Sequence, residues 1–399
     1  MFSAAQAVKP DAIIALMEEF RADPRPTKLD LGVGVYRDET GRTPVFTAVQ
    51  KAQATLVAQE QTKEYVGVGG DKDFCTLIGE MVFGPGLLGG RVSVVQSVGG
   101  TGAIRLLLDT IAPLLQNKTL YVPDPTWPNH YSLAKGAGLA CVAYPHFDAN
   151  LQMLRIDGLL AFLRERAAGD AVLFHGCCHN PTGMDPTDDQ WRAIVDVVAD
   201  RGIFPVVDLA YHGMGRGLSE DAFLPHHLAA RGIEFALSYS CSKNFGLYRD
   251  RVGAAMFVCA DQPAAAAAKG LAMNAARATY SMPPHHGANI VKTILQTPDL
   301  RAEWQKELDA MRDRIVTLRN GLATALATKT NQAHFEAINR QAGMFSFLNL
   351  SNAEVEALKT QYAIYAVGGG RVNLAGLRTD AIDPVAEAIA TLVAARPQF

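Results

Sequence analysis

SYSCSKNFGLYRDRVG, residues 238–253, decides how this chain is read. A strand-like apolar run, EFALSYS (234–240), passes into Ser240, Cys241, Ser242 and then Lys243, with Arg251 eight residues on. A lysine just past a buried strand is either solvated punctuation or an amine held where a cofactor reaches it. The residues around it decide between the two.

Working outward, residues 171–260 alternate short apolar strands with helical patterns. AVLFHGC (171–177), IFPVVD (203–208), EFALSYS and GAAMFV (253–258) read as strands. PTDDQWRAIVDVVADRG reads as a helix: Thr187 and Gln190 make a capping box, Asp188 and Asp189 occupy the first turn, and Gly202 stops it. Trp191, Ile194, Val195 and Val198 follow helical spacing. VGGTGAIRLLLDTIAPLL is a glycine turn opening a helix, and TLYV (119–122) is another strand. Strands alternating with helices predict an α/β sheet, largely parallel and buried on both faces. Trp304, Leu308, Met311, Ile315 and Leu318 mark one face of a helix over 298–326. MFSFLNL and RVNLAG then start strands of a second domain. The alanine run 264–268 belongs to a helix.

Composition narrows the class. The chain has 399 residues, 49% hydrophobic and 19% charged, with 37 Lys+Arg against 40 Asp+Glu. That length suits two domains or one large α/β unit. No basic patch stands out, so nucleic acid is not an expected partner. The N-terminal run is broken by Asp11, Glu18 and Glu19, so no secretory signal is expected. No uncharged apolar stretch of about 18 residues suggests a membrane span. Six cysteines, two of them adjacent, do not form a disulfide framework pattern. The expected compartment is the cytoplasm.

Three further stretches bear on chemistry. Asp208 ends IFPVVD, placing its carboxylate at the carboxyl end of the sheet, where open α/β sheets bind ligands; a turn or capping aspartate is the alternative. VGGTGAIR (98–105) offers helix N–H groups to an anion, or is merely a structural turn. It fails the dinucleotide fingerprint, because a GxGxxG frame from Gly100 would need glycine at Arg105. HGCCHNPTG (175–183) invites a zinc reading through His175, Cys177, Cys178 and His179. The spacing matches no common zinc pattern, and neighbours on an extended chain point to opposite faces, so no metal is expected. Asn180 precedes a proline, which leaves its amide available to a ligand. A glycine–helix cradle, a strand-end carboxylate, a lysine after a strand and a nearby arginine together suit pyridoxal phosphate: the phosphate takes the cradle and arginine, the pyridine nitrogen the carboxylate, the aldehyde the lysine.

LDLGVGVYRDETG, GGTGA, DPTWPNH, HNPTG, DLAYHG, SCSKNFGLYRDRVG, YSMPP and GRVNLAG occur in one order along nearly the whole chain. In this the sequence resembles the fold-type I pyridoxal-phosphate aminotransferases, specifically their aspartate/aromatic amino-acid group, and is closest to the aromatic branch. The resemblance implies a large domain with a mostly parallel seven-stranded sheet between helices and a smaller α+β domain. It implies an N-terminal arm and part of the small domain over 1–35, the cofactor domain over 36–310 and the C-terminal small domain over 311–399. Lys243 would join the cofactor aldehyde and shuttle the proton between substrate Cα and cofactor C4′. Asp208 would keep the pyridine nitrogen protonated, backed by His130. Trp127 would stack on the ring, and Asn180 and Tyr211 would bond its phenolic oxygen. Gly100, Thr101, Ser240 and Arg251 would grip the phosphate, with Tyr65 of a partner subunit in a homodimer with shared sites. Arg371 would take the substrate α-carboxylate with Gly34, Asn180 and Trp127 nearby. Arg277, again from the partner, would face the side chain of a dicarboxylic substrate.

Two departures from the family pattern matter. Gly99 stands where many aspartate-type enzymes carry serine, and Met282 where asparagine commonly follows Ser281. A flexible thioether repacks around an aromatic ring and does not tether an arginine. The expected reaction is transfer of the amino group of an aromatic amino acid, and of aspartate or glutamate, to 2-oxoglutarate in a ping-pong cycle. A strict aspartate aminotransferase is the alternative. A β-lyase or decarboxylase on the same cofactor, or a regulator built on such a domain, are more distant ones.

Overall fold

The computed structural model describes residues 12–396 together with Phe2 and Ala5. The rest of the expected N-terminal arm, including Asp11, lies outside the described residues. The chain divides into two compact units, Pro44–Arg314 and the described residues of Met1–Thr43 with Ile315–Phe399.

Pro44–Arg314 is built on a seven-stranded sheet. In chain order its strands are β1 (Val92–Val98), β2 (Thr119–Asp124), β3 (Ala140–Pro145), β4 (Ala171–His175), β5 (Phe204–Leu209), β6 (Phe235–Ser240) and β7 (Val252–Val258). They lie side by side in the order β1-β7-β6-β5-β4-β2-β3. Only β7 runs against its neighbours; the other pairs are parallel. Every residue of β4, β6 and β7 is buried. That is why they read as unbroken apolar runs: a strand covered on both faces has no solvent side to alternate towards.

Helices cover the sheet. Helix α1 (Gly99–Ile111) buries Ile104, Leu107 and Leu108 over Val95, Val122, Val206 and Ala236. Each apolar side chain fully buried this way contributes about 1.5–3 kcal/mol relative to exposure. Helix α2 (Asp188–Arg201) begins with the Thr187–Gln190 capping box and ends at Gly202 in the left-handed region. It buries Trp191, Ile194, Val195 and Val198. Helix α3 (Gln262–Thr279) takes in the alanine run and buries Ala265, Ala272 and Ala276. Helix α4 spans Pro298–Thr330, four residues beyond the predicted end.

The other unit pairs Leu29–Asp30 in parallel with Ile364–Tyr365, and Phe345–Phe347 antiparallel with Arg371–Asn373. Both expected strands there are shorter than their apolar runs, and the second gives way to a 3-10 turn at Leu374–Gly376. A capping box of Ser351 and Glu354 starts its helix Asn352–Tyr362. Among the described residues no helix is long and apolar enough to cross a membrane.

Candidate active site

At the carboxyl end of the sheet, three strand ends converge on Asp208. Its residue is 7% exposed; Oδ1 accepts from the Ser238 hydroxyl at 2.9 Å, and Oδ2 faces His130 Nε2 at 3.3 Å. Burial pushes this carboxyl up, but the His130 bond, the charges of His130 and His175, and the Ser238 bond outweigh it and leave Asp208 below its ordinary value. It is therefore a buried anion, and the geometry suits a cationic ring nitrogen on its open side.

Behind Asp208 runs a relay that the chain orients in one direction. The Asn180 backbone N–H points at His175 Nδ1 at 3.4 Å, so that nitrogen is the acceptor. His175 Nε2–H is then the donor to Thr126 Oγ1 at 3.1 Å, and the Thr126 hydroxyl donates to His130 Nδ1 at 2.8 Å. His130 Nε2 is left carrying the proton towards Asp208. Burial, together with the neighbouring His130, holds His175 down at about 3, which keeps it neutral. Thr126 and His175 were not among the expected site residues. The i, i+4 spacing of Thr126 and His130 was the available signal.

Lys243 lies three residues past β6, partly buried, with Nζ 5.4 Å from the centre of the Tyr211 ring. The Tyr211 hydroxyl receives Asn180 Nδ2 at 3.4 Å, which gathers Lys243, Tyr211 and Asn180 in one place. The loop carrying Lys243 is held from behind. Phe245 stacks on Trp304 with centroids 4.4 Å apart, and Trp304 Nε1 donates to the Asn244 carbonyl at 2.8 Å. Asn244 Nδ2 donates to the Tyr239 hydroxyl, which in turn faces His212 Nδ1 at 3.0 Å. Trp127 meets His130 edge to face at 5.3 Å.

The anion cradle is visible in its glycines. Helix α1 starts without a side-chain cap, so the N–H groups of its first turn are available. Gly99 has φ 67, and a Cβ there would come within 2.5 Å of the Arg251 guanidinium. A Cβ on Gly100 would come within 2.9 Å of Ser240 Cβ. The bare backbone thus brings Gly99 close to Arg251 and Gly100 close to Ser240, at the start of the uncapped helix. The glycine at 99 suits a left-handed backbone as well as lacking a hydroxyl. The set fits pyridoxal phosphate: amine, buried carboxylate, ring neighbour, phenolate donors and phosphate cradle all lie in one unit.

Tyr65 and Arg277 are not brought to this cluster as buried groups. Tyr65 is 89% exposed, and Arg277 is exposed and tied to the Ser281 hydroxyl one turn on. In the other unit, Arg371 is 3% exposed, donates to the Gly32 carbonyl at 2.7 Å and lies 4.4 Å from the Phe345 ring centre. A Cβ at Gly34 would press within 2.8 Å of that same ring. Asn373, which sequence reasoning missed, donates to the Val33 and Val35 carbonyls at 2.7 Å and pins the Gly34 segment.

One argument against a metal needs correction. Cys178 has φ 53, so the chain is not extended there, and Cys177, Cys178 and Asp221 bring ligand atoms within 4.8 Å of one another. The Asp221 carboxylate already accepts from the N–H groups of Gly213, Gly215 and Arg216. The bond to Cys178 and burial both raise the Cys177 thiol well above its ordinary value.

The comparisons agree with this geometry. The sequence model of "Aminotransferase class I and II" matches residues 26–389. The chain is 44% identical to the aromatic-amino-acid aminotransferase of Paracoccus denitrificans, over 95% of this chain and 96% of that one. It is also 44% identical to the aspartate aminotransferase of Escherichia coli, over 98% of this chain and 100% of that one. A solved aromatic-amino-acid aminotransferase from Burkholderia pseudomallei, covalently bound to pyridoxal phosphate, superposes with a TM-score of 0.95 at 39% identity, covering 98% of this chain and 99% of that one. A family model matched over residues 26–389 and 44% identity over nearly the whole length of both relatives place this protein in the class I and II aminotransferase family.

Proposed function

We propose that this enzyme is a pyridoxal-phosphate transaminase that moves the amino group of an aromatic amino acid, and also of aspartate or glutamate, to 2-oxoglutarate by a ping-pong mechanism. The observation that carries the reading is the buried Asp208 anion beside the Lys243–Tyr211–Asn180 cluster. When bound, the cofactor supplies an aldehyde for the amine and an electron sink for the carbon it activates. The residues do the rest. Asp208 holds a proton on the ring nitrogen, and a charge-assisted bond there is roughly twice as strong as a neutral one. Asn180 and Tyr211 bond the phenolic oxygen, and Trp127 covers the ring face. Gly100, Thr101, Ser240 and Arg251 hold the phosphate. Lys243 Nζ would hold the aldehyde carbon and would serve as the base that moves the proton to and from the substrate Cα. Arg371 takes the α-carboxylate through its planar fork, a fit that lysine lacks.

The reading includes a cytoplasmic homodimer in which the partner supplies Tyr65 to the phosphate and Arg277 to a substrate side chain. Two exposed residues of the required chemistry support it. Met282 supports the aromatic preference. The tie between Arg277 and Ser281 keeps the dicarboxylate-specific alternative in view. Single-turnover rates of the loaded enzyme with phenylalanine and with aspartate test the choice. Comparable kcat/KM values are expected, and a preference for aspartate of several hundred-fold would reject the aromatic assignment. Borohydride reduction followed by peptide mapping tests the amine: label on any lysine other than Lys243 rejects the site.

A further inference from the structure

Beside the Asp208 relay stands a second group of imidazoles that the reaction scheme does not use. His146 stacks on His179 with centroids 4.1 Å apart and an interplanar angle of 26°. His179 lies 4.2 Å from His175, the relay's outermost ring. All three are buried, and Nε2 of both His146 and His179 is buried without a partner among the described residues.

Thr182 Oγ1 accepts the Met184 N–H at 3.2 Å, and among the described residues its own proton has one acceptor, His179 Nδ1 at 2.8 Å. His179 therefore carries its proton on Nε2. His179 Nε2 is thus an orphan donor, and His146 Nε2 is the orphan polar atom of the ring stacked on it. His146 and His179 line a small space of about 10 Å³ together with His175, Asp185, Tyr144 and Trp191. That is room for one water-sized sphere, and a buried water needs at least two polar partners.

We propose that this space is a specific site for one water molecule, which accepts from His179 Nε2–H, bonds His146 Nε2, and so positions the His179–Asn180 peptide whose N–H sets the tautomer of His175. Without the water, His179 is left with a buried donor unmet, a loss of the kind that makes a ring turn or a loop shift. Because the Asn180 N–H lies on His175 Nδ1, that shift reaches Thr126, His130 and Asp208 in order. His146 and His179 are thus positioning residues. Only the link to the cofactor rests on the transaminase reading; the water site stands without it.

The test uses the cofactor-loaded protein as wild type, His146→Phe, which keeps the stacked ring and removes the polar atom, and His146→Gln, which restores a polar partner. High-resolution diffraction should show water density between the two rings in wild type and none in His146→Phe. The visible absorbance titration of the loaded protein should shift in His146→Phe by at least about half a pH unit, roughly threefold in proton affinity, and return towards wild type in His146→Gln. A dry cavity in wild type overturns the site. An unmoved titration in a folded His146→Phe lacking the water overturns the positioning role. Failure of the protein to take up cofactor would reject the transaminase reading while leaving the density result standing.

Discussion

His130 Nε2 lies 3.3 Å from Asp208 Oδ2 and joins the aspartate to the Thr126–His175 pair that ends on the Asn180 backbone. The relay supplies Asp208 with one hydrogen-bond donor and leaves its open side to a ligand. Asp208→Asn removes the carboxylate charge while keeping the shape. The expected loss is about 10²–10³ in kcat, the size seen when one electrostatic contact to a developing charge is removed. Single-turnover spectroscopy measures it. A variant within tenfold of wild type would show that the ring nitrogen does not need the anion.

The buried histidines set the response to acid. Burial holds His146 and His212 at about 4 and His175 at about 3, and drives His179 well below its ordinary value. In the unfolded chain each ring titrates near 6.5. Below that pH the unfolded state binds protons that the folded state refuses, so stability falls as pH drops towards the folded values. Asp185 and Asp221 act in the opposite sense: burial raises both, Asp185 to about 6, so their cost fades as the pH falls. His212→Gln should therefore lose about 2 kcal/mol less than wild type between pH 7 and pH 5, read from denaturant midpoints. Equal losses in the two proteins would contradict the assignment of a neutral, buried His212.

Trp304 acts on the Lys243 loop from behind, through its stack on Phe245 and its bond to the Asn244 carbonyl. Trp304→Ala should cost about 3–5 kcal/mol by the void it leaves. Trp304→Phe keeps the stack but strands the carbonyl, at about 1–3 kcal/mol. Thermal or denaturant unfolding separates the two. If Trp304→Phe matches wild type, the carbonyl has found another donor and the loop does not depend on the indole.

How much of this was legible in the chain depends on the range of the cause. The helix over Asp188–Arg201 was readable residue by residue, because its cap, its stop and its buried face are all local signals. So were the strand ends that place Asp208 and Ser240. The Thr126–His175 link was not: the residues are 49 apart, and only the β2–β4 pairing brings them together. Cys178 escaped for a different reason. Its positive φ is uncommon outside glycine, asparagine and aspartate, so an extended chain was the natural expectation at that position. Gly99 was noticed as a missing hydroxyl, while its left-handed φ and the guanidinium beside it are tertiary facts that the sequence does not display.

That crowding makes a prediction at Gly99. A serine there must adopt a left-handed backbone and displace Arg251, whose guanidinium lies within 2.5 Å of the new Cβ. Strain of this kind costs about 1–3 kcal/mol. Gly99→Ser should therefore weaken cofactor retention by roughly tenfold or more, read by dialysis against cofactor-free buffer and the decay of visible absorbance. Undiminished retention would mean that the serine hydroxyl repays the displacement by reaching the phosphate.

In the proposed function two arginines divide the recognition of substrate, and they should fail differently. Arg371 is buried, oriented by the Gly32 carbonyl and the Phe345 ring, and assigned to the carboxylate that every amino acid carries. Arg371→Lys keeps the charge and loses the fork, so kcat/KM should drop by roughly 10²-fold or more for phenylalanine and aspartate alike, on the scale of one or two charge-assisted bonds. Arg277 is exposed and bonded to Ser281, so an apolar substrate need not engage it. Arg277→Leu should lower kcat/KM for aspartate by a similar factor while leaving phenylalanine within threefold of wild type. Met282→Asn should move the ratio towards aspartate, since an amide can bond a guanidinium where a thioether does not. Parallel kinetics on the two substrates decide it: a matched loss in Arg277→Leu would place that arginine in cofactor or carboxylate binding and remove the basis for dual specificity.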